Sequence, residues 1–112
     1  MSDLSLTLLD WEKIPDVKYD GKSGFSLWKT IQQNGIRIRL VEHSENFIAD
    51  HWCEKGHIIY CIEGEITIKL KDGTSLTLEK GKSVIFPDGS NSHFVLSEKG
   101  AKLFIVDGDF LS

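Results

Sequence analysis

Residues 57–79 of the chain read HIIYCIEGEITIKLKDGTSLTLE, and this stretch decides the fold class. An apolar run ends at Glu63-Gly64, a dipeptide that favours a turn. Residues 65–70, E-I-T-I-K-L, then alternate polar and apolar side chains, which is the pattern of a strand with one buried face. Asp72-Gly73 gives a second turn signal before S-L-T-L. The stretch therefore predicts short strands joined by turns at both dipeptides.

The same pattern continues on both sides of this stretch. Asn34-Gly35 separates two strand-like runs and favours a hairpin, because both residues accept positive φ. In the run that follows, residues 36–42, we expect the isoleucines and Leu40 to face the core and the two arginines to face away. Roughly eight to ten short strands at regular spacing predict an all-β sandwich or barrel. Further turn signals stand at Lys80-Gly81, Pro87-Asp88-Gly89 and Lys99-Gly100.

The composition is that of one folded domain, since 112 residues with 40% hydrophobic content can form a single core. A net charge of -4 argues against a nucleic-acid partner, which would require clustered Lys and Arg. No apolar stretch has the length of a membrane span, and the N-terminus lacks the basic region of a secretory signal. We therefore expect a cytoplasmic protein with no membrane partner, in which Cys53 and Cys61 form no disulfide.

Candidate metal ligands gather just before the opening stretch, in D-H-W-C-E-K-G-H, residues 50–57. His51 and Cys53 are two residues apart and share one face of an extended chain. The E-K-G turn can bring His57 back beside them, and His93 is a fourth candidate from a later strand. Imidazole and thiolate groups on neighbouring strands suit zinc and several other transition metals. The alternative is a polar barrel mouth that holds no metal.

The other cysteine and histidine are interpreted differently. Cys61 lies roughly 13 Å along the strand from His57, so we expect it to be a small core side chain. His43 shares a face of its strand with Arg37 and Arg39, and we expect that face to meet solvent.

Two spacings around these residues resemble the motifs of the cupins, a family of small jelly-roll barrels. The first cupin motif reads H-x-H, three or four residues, Glu, six residues, Gly. Counting back from Gly64 puts His57 at the family's glutamate, Cys53 at its second histidine and His51 at its first. The spelling D-H-W-C also resembles a subgroup of small cupins labelled by a DHCW motif.

The second cupin motif reads Gly, five residues, P-x-G, two residues, His. Gly81, Pro87 and Gly89 fall in step with it, and His93 stands one residue late. The resemblance implies an all-β, cupin-type jelly-roll barrel over residues 25–112, with residues 1–24 as an N-terminal edge segment or arm. It also implies a homodimer, because barrels of this type often associate through sheet edges or faces.

The resemblance further implies a metal centre, since cupin sites of three His and one Glu hold Fe, Mn, Ni or Zn. Replacement of one His by Cys and of Glu by His makes the donor set softer, so we expect a divalent ion such as Zn, Fe or Ni. The implied ligands are His51, Cys53, His57 and His93. Asp50 would accept a hydrogen bond that orients His51; the alternative is a solvated turn residue.

Three functions remain open on the sequence alone. The first is a metal-dependent enzyme acting on a small polar organic substrate, with Glu42 as a weak candidate for a base if it points inward. The second is a binding or sensing module that holds a small ligand without turnover. The third is a structural zinc site closed by four protein ligands.

Overall fold

The computed structural model describes residues 5–89 and 92–111, and Phe110 by its backbone alone. Residues 1–4 of the expected arm, two residues of the loop before His93 and the C-terminal residue lie outside this description. Nine strands fall within the described residues, as the turn spacing predicted. The two helical segments there are short 3₁₀ turns, Trp11–Lys13 and Asp109–Leu111. The strands are β1 Val17–Asp20, β2 Phe25–Gln33, β3 Ile36–His43, β4 Phe47–Ile48, β5 His57–Leu70, β6 Ser75–Glu79, β7 Ser83–Phe86, β8 His93–Ser97 and β9 Ala101–Gly108.

The strands form two antiparallel sheets that share the long strand β5. The first half of β5 lies between β7 and β9, in the sheet that continues through β3 and β2 to β1. The second half lies between β6 and β8, and β4 pairs with the far edge of β8. One strand that crosses from one sheet to the other closes the two layers around a common interior. The all-β jelly-roll class expected from the sequence is confirmed.

The expected turn at Glu63-Gly64 is wrong, because the chain bends there without reversing. The register between β5 and β9 shifts between Cys61 and Glu63, and β5 then continues into the second sheet. Gly64 has a φ of 73°, and a Cβ on it would clash with the carbonyl oxygen of Gly100. Only glycine meets both conditions without strain, so Gly64 marks the point where β5 changes sheets.

The other two dipeptides do make hairpins. Gln33 pairs with Ile36 across Asn34-Gly35, which is the two-residue loop that this dipeptide predicted. Asp72-Gly73 lies in the loop between β5 and β6. These tight connections fix the registers on which the site depends.

The hydrophobic core lies between the two sheets. Cys61 is fully buried within it, as expected from the sequence, and Ile66 and Ile68 belong to the same cluster. Each buried aliphatic side chain of this size contributes about 1.5–3 kcal/mol relative to an exposed one. The rest of the buried cluster is Val41, Ile59, Leu78, Phe86, Ala101, Leu103 and Ile105.

The inward face of β3 is opposite to the expected one. Arg39 and Val41 are buried, at 4% and 2% exposure, whereas Glu42 is exposed. The alternation was correct, but both faces of β3 carry apolar residues, and the N-terminal segment covers part of the outer one. Trp11 packs edge-on against Phe104 of the neighbouring strand, with ring centroids 6.4 Å apart.

The N-terminal segment contributes one edge strand and one covering stretch. Strand β1 pairs with β2 at the edge of the first sheet. Residues 5–10 form no strand, and Leu9 lines a groove on the outer face together with Ile36 and Ile38. Neither 3₁₀ turn in the described part of the chain has the length and hydropathy needed for a membrane-crossing helix.

Candidate metal centre

Three side chains meet where β5 and β8 begin. His57 is the first residue of β5 and His93 the first of β8. Cys53 lies in the loop before β5, and its backbone pairs with that of His93 through N–H···O bonds of 2.7 and 2.9 Å. This isolated bridge fixes the thiol beside both histidines, although His93 is 40 positions away in sequence.

The E-K-G turn between Cys53 and His57 is held against the loop after β7. The backbone N–H of Gly56 donates to the Asp88 carboxylate at 2.7 Å, and the Lys55 ammonium lies 3.6 Å from the same group. A Cβ on Gly56 would overlap the carbonyl oxygen of Phe86, so the turn needs a glycine to approach so closely. The turn returns the chain to the site as expected from the sequence.

The donor atoms have the spacing of metal ligands. Cys53 Sγ lies 3.5 Å from His57 Nε2, and one donor atom from each of Cys53, His57 and His93 falls within 4.8 Å of the others. Zn–S and Zn–N bonds of ordinary length at a tetrahedral angle would put sulfur and nitrogen about 3.6 Å apart. The thiol and imidazole therefore stand at the separation that a shared tetrahedral ion requires.

Asp107, at the end of β9, orients His57 from the far side of its ring. His57 Nδ1 lies 3.3 Å from Asp107 Oδ2, so an Nδ1–H group can donate to that carboxylate. Nε2, on the other side of the ring, faces Cys53 Sγ, where it can donate to a thiolate when protonated or ligate an ion when deprotonated. Arg37 binds both carboxylate oxygens, with its shortest bond at 2.9 Å, and Arg39 Nη2 donates to Oδ2 at 3.1 Å. A carboxylate that holds the second ring nitrogen of a ligating histidine is the usual outer partner in metal sites.

The two histidine rings are fixed by packing as well. His57 and His93 are 7% and 3% exposed, and their rings meet edge to face with centroids 5.4 Å apart. Phe86 stacks on His93 at 4.4 Å. Packing therefore restrains the orientation of both imidazoles.

The sequence matches no protein-family model and no curated protein. Solved structures do match the fold. A sugar phosphate isomerase of the cupin superfamily from Silicibacter pomeroyi is 17% identical, with 91% of this chain and 75% of that chain covered and a TM-score of 0.69. Ectoine synthase from P. lautus is 16% identical, with 92% and 78% covered and a TM-score of 0.74. The chain has a cupin fold.

A third cupin-fold neighbour is the Fe(II) form of HppE. It is 16% identical, with a TM-score of 0.75; the match covers 91% of this chain and 60% of HppE. At these identities the likeness shows the fold, and the chemistry of the site has to be argued from the side chains of this chain.

The structure brings together three of the four expected ligands. His51 is not in the group; its side chain is 76% exposed and lies 2.6 Å from Asp50, through Nδ1 and Oδ1. The expected contact between Asp50 and His51 is therefore present, but at the rim of the site. The hydrogen bond from His51 lowers the pKa of Asp50.

Two expectations about β3 are wrong for one reason, the inverted face. Glu42 points away from the interior, beside Ser44 and Lys102, so it is no base for this site. His43, expected at the surface, faces inward, and its Nδ1 lies 3.0 Å from the hydroxyl of Ser26.

The sequence reasoning missed Asp107 and the role of Arg39. On β9, Asp107 follows Leu103 and Ile105 at every second position and therefore lies on the same inward face. An acidic residue among buried apolar residues is rarely left unpaired, so this position could have been predicted to carry a paired charge. Arg39 was assigned to the wrong face of β3. Neither partner is near Cys53 in sequence, so only the sheet order brings them to the site.

The local charges lower the pKa of the thiol. Hydrogen bonds from His57 and then His93 bring the pKa of Cys53 to about 5 from an ordinary value of 9.0, against the opposing effect of burial. Burial raises the pKa of Asp107, but Arg37, Arg39 and His57 outweigh it and the net direction is downward. At neutral pH the site therefore contains a thiolate and a carboxylate.

A cavity of about 500 Å³ opens beside these residues, in the interior of the cupin barrel. This is the size of a pocket for a small organic molecule. Cys53, His57, His93 and Arg39 line one end of it. Its other walls are mostly apolar core residues, among them Val41, Ile59, Ile66, Leu103 and Ile105.

Proposed function

We propose that this protein binds a transition metal ion at Cys53, His57 and His93 and presents it to a small organic molecule in the adjoining cavity. The observation that carries the proposal is the convergence of one thiol and two imidazoles on a single point, with sulfur and nitrogen 3.5 Å apart. The donor types fit a metal, and Asp107 supports His57 in the way that metal sites require.

The number of ligands favours an open centre over a structural zinc site. A closed structural site uses four protein ligands, whereas catalytic zinc sites use three and leave a position for water or substrate. Among the described residues, the group of metal-capable side chains contains three members. An ion held by these three residues would be reached by a small molecule from the cavity that they line.

The donor set favours Zn²⁺ first, with Fe²⁺ and Ni²⁺ as the other candidates. A thiolate with two imidazoles is a soft set that suits zinc, and the solved neighbour HppE holds Fe(II). When bound, such an ion supplies Lewis acidity to an oxygen or nitrogen atom of the ligand. The protein's own residues fix the donors: Asp107 holds the His57 ring, and the Cys53–His93 backbone bridge holds the thiol.

A second candidate uses the same residues without metal. Cys53, His57 and Asp107 form a chain of nucleophile, base and orienting carboxylate, with separations of 3.5 and 3.3 Å. The lowered pKa of Cys53 favours a reactive thiolate. In this case the protein would act on its small molecule through the thiolate alone.

Metal titration of the purified protein separates the two. We expect one equivalent of Zn²⁺ to bind, and Co²⁺ in its place to give a thiolate-to-cobalt charge-transfer absorption. Cys53→Ser should abolish that absorption and weaken Zn²⁺ binding by about tenfold or more, because a neutral hydroxyl replaces a soft thiolate. His93→Gln should weaken Zn²⁺ binding in the same way but keep the absorption at saturating Co²⁺.

Two variants serve as controls. Cys61→Ser should bind metal like the wild type; its new hydroxyl can donate to the carbonyl oxygens of Glu63 and Gly64, which lie 3.4 Å from the sulfur. His51→Asn should also bind like the wild type, because His51 lies outside the group. A wild type that binds neither ion, or a Cys53→Ser variant with unchanged affinity, would refute the metal proposal and leave the thiolate.

A further inference from the structure

The cavity has one charged region, and most of its other lining residues are apolar. Its charged end contains Arg37 and Arg39, while the buried side chains of Val41, Leu103 and Ile105 line another wall. A molecule that fills about 500 Å³ of such a space has to carry a polar group at one end and an apolar body at the other.

Arg39 is the unusual residue at the charged end. Its side chain is 5% exposed, and its guanidinium lies over the ring of Trp28, 4.5 Å from the centroid. Its Nε has no hydrogen-bond partner. Burial of a guanidinium costs free energy unless its N–H groups are hydrogen-bonded and its charge is neutralised. For Arg39 the Nε–H group has no such acceptor.

Asp107 cannot neutralise Arg39 fully, because its carboxylate is shared with Arg37 and His57. Its Oδ2 already accepts from Arg37 at 2.9 Å, from Arg39 at 3.1 Å and from His57 at 3.3 Å. Two arginines share this one carboxylate, which leaves one positive charge over. Burial and then the charge of Arg39 lower the pKa of His43 to about 4, so His43 is neutral at pH 7 and adds nothing to the excess.

The other acidic groups near the cavity do not change this balance. Asp20 and Asp50 line its rim, but both are exposed, and solvent screens their charges. The Cys53 thiolate does offset the remaining arginine charge in the metal-free protein. A divalent ion bound at that thiolate would exceed the offset and make the charged end positive.

We propose that the cavity takes a small organic carboxylate, whose carboxylate group lies at the end lined by Arg39 and the metal centre and whose apolar body packs against Val41, Leu103 and Ile105. The inference rests on the proposed function for the ion that completes the positive end. It goes further in naming the class of ligand, an amphipathic carboxylic acid rather than a neutral polar molecule. Because ion and carboxylate favour each other, each should raise the affinity for the other by the same factor.

The test uses calorimetric titration of the Zn²⁺-loaded full chain with carboxylates and their amides. The probes are acetate, isovalerate, hexanoate and benzoate, each paired with its uncharged amide of the same shape. We expect at least one of the three larger acids to bind about tenfold or more tightly than its amide, because a hydrogen-bonded charge pair is lost in the amide. Acetate should bind most weakly, since it buries least apolar surface.

Variants connect the binding to Arg39. Arg39→Gln should remove the preference for acid over amide, and Arg39→Lys should retain part of it. Where Arg39→Gln unfolds, Arg39→Gln combined with Asp107→Asn removes both charges together, and it is compared at saturating Zn²⁺ with the single variant Asp107→Asn, so that the loss of Arg39 is the only difference. Lys102→Gln, which alters an outward-facing residue of β9, is the matched control and should leave the preference unchanged.

The outcomes separate this inference from the metal proposal. If Zn²⁺ binds but no acid binds more tightly than its amide, the carboxylate inference is overturned and the metal centre stands. If acetate binds as tightly as the larger acids, the apolar-body part is overturned. If no metal binds, the proposed function fails. In that case the metal-free protein can still support the carboxylate site, by preferring acids over amides and losing this preference in Arg39→Gln. Equal binding of acid and amide to the metal-free protein would overturn the carboxylate site as well.

Discussion

Asp107→Asn is the substitution that tests the organisation of the site most directly. The asparagine has nearly the same shape, so the change removes one negative charge without opening a cavity. Asp107 is 3% exposed and accepts hydrogen bonds from Arg37, Arg39 and His57. The variant leaves two arginines facing a neutral group, one of them with a side chain that is only 5% exposed.

The magnitude follows from which of these contacts are shielded from water. Removal of one partner from a buried ion pair costs about 3–5 kcal/mol of unfolding free energy. The Arg37 side chain is 30% exposed and will regain water, so most of the cost comes from Arg39. We therefore expect Asp107→Asn to lower the unfolding free energy by about 3 kcal/mol at pH 7.

The loss of unfolding free energy in Asp107→Asn should become smaller as the pH falls. Burial raises the pKa of Asp107, but Arg37, Arg39 and His57 lower it further, and the net pKa lies below the ordinary 3.8. A carboxylate with a lowered folded-state pKa stabilises the fold above its unfolded pKa and ceases to do so as pH falls through the folded pKa. The difference between wild type and variant should therefore be full at pH 7 and shrink below about pH 4.

Urea denaturation of both proteins between pH 3 and pH 7 measures this difference. Asp16→Asn is the control; its carboxylate lies 4.0 Å from Lys29 at the surface and should be worth less than about 0.5 kcal/mol. A second readout is metal affinity, which Asp107→Asn should lower by about 10–100-fold, because His57 loses the partner that orients it. A variant within about 1 kcal/mol of the wild type at pH 7 would show that Asp107 does not hold a buried charge network.

Three further outcomes are expected. Iodoacetamide at pH 6.5 should label Cys53, whose pKa is about 5, and spare Cys61, which is fully buried and has a raised pKa; equal labelling, read by mass spectrometry, would contradict the assignment. Gly64→Ala should lower the unfolding free energy by more than about 1 kcal/mol, because its Cβ would clash with the backbone of Gly100. Gly73→Ala should cost less, since Gly73 also has a positive φ but no atom lies within 4 Å of a Cβ there. Denaturant titrations that show the larger loss for Gly73→Ala would contradict the role given to Gly64. Light scattering at micromolar concentration should give a dimer, and Leu8→Asp in the exposed apolar N-terminal segment should shift it toward monomer; a monomeric wild type would end the dimer hypothesis.

The sequence alone determined the fold class, because its signals are local. Alternating apolar residues and Gly-containing turns fix strands and hairpins over a few residues, and the hairpin at Asn34-Gly35 and the burial of Cys61 followed directly. It also placed Cys53 and His57 near each other, since only a three-residue turn separates them. The register of the second cupin motif pointed to His93 although it stands one residue late.

Tertiary structure alone decided which face of β3 looks inward. Both phases of that strand carry apolar residues, and the choice depends on the N-terminal segment, which covers part of the outer face through contacts such as Trp11 with Phe104. The alternation of a strand gives its two faces but does not say which one meets the core. For this reason Arg39 and His43 were expected in solvent and Glu42 in the interior.

The carboxylate that supports the site also needed the tertiary structure. Asp107 reaches His57 because β9 lies between β3 and β5, an order that no local pattern encodes. The same order brings Arg37 and Arg39 to Asp107 from 70 and 68 positions away. Residue types predicted that a metal could bind here, while the pairing of strands decided which donors meet and which charge remains unmatched beside them.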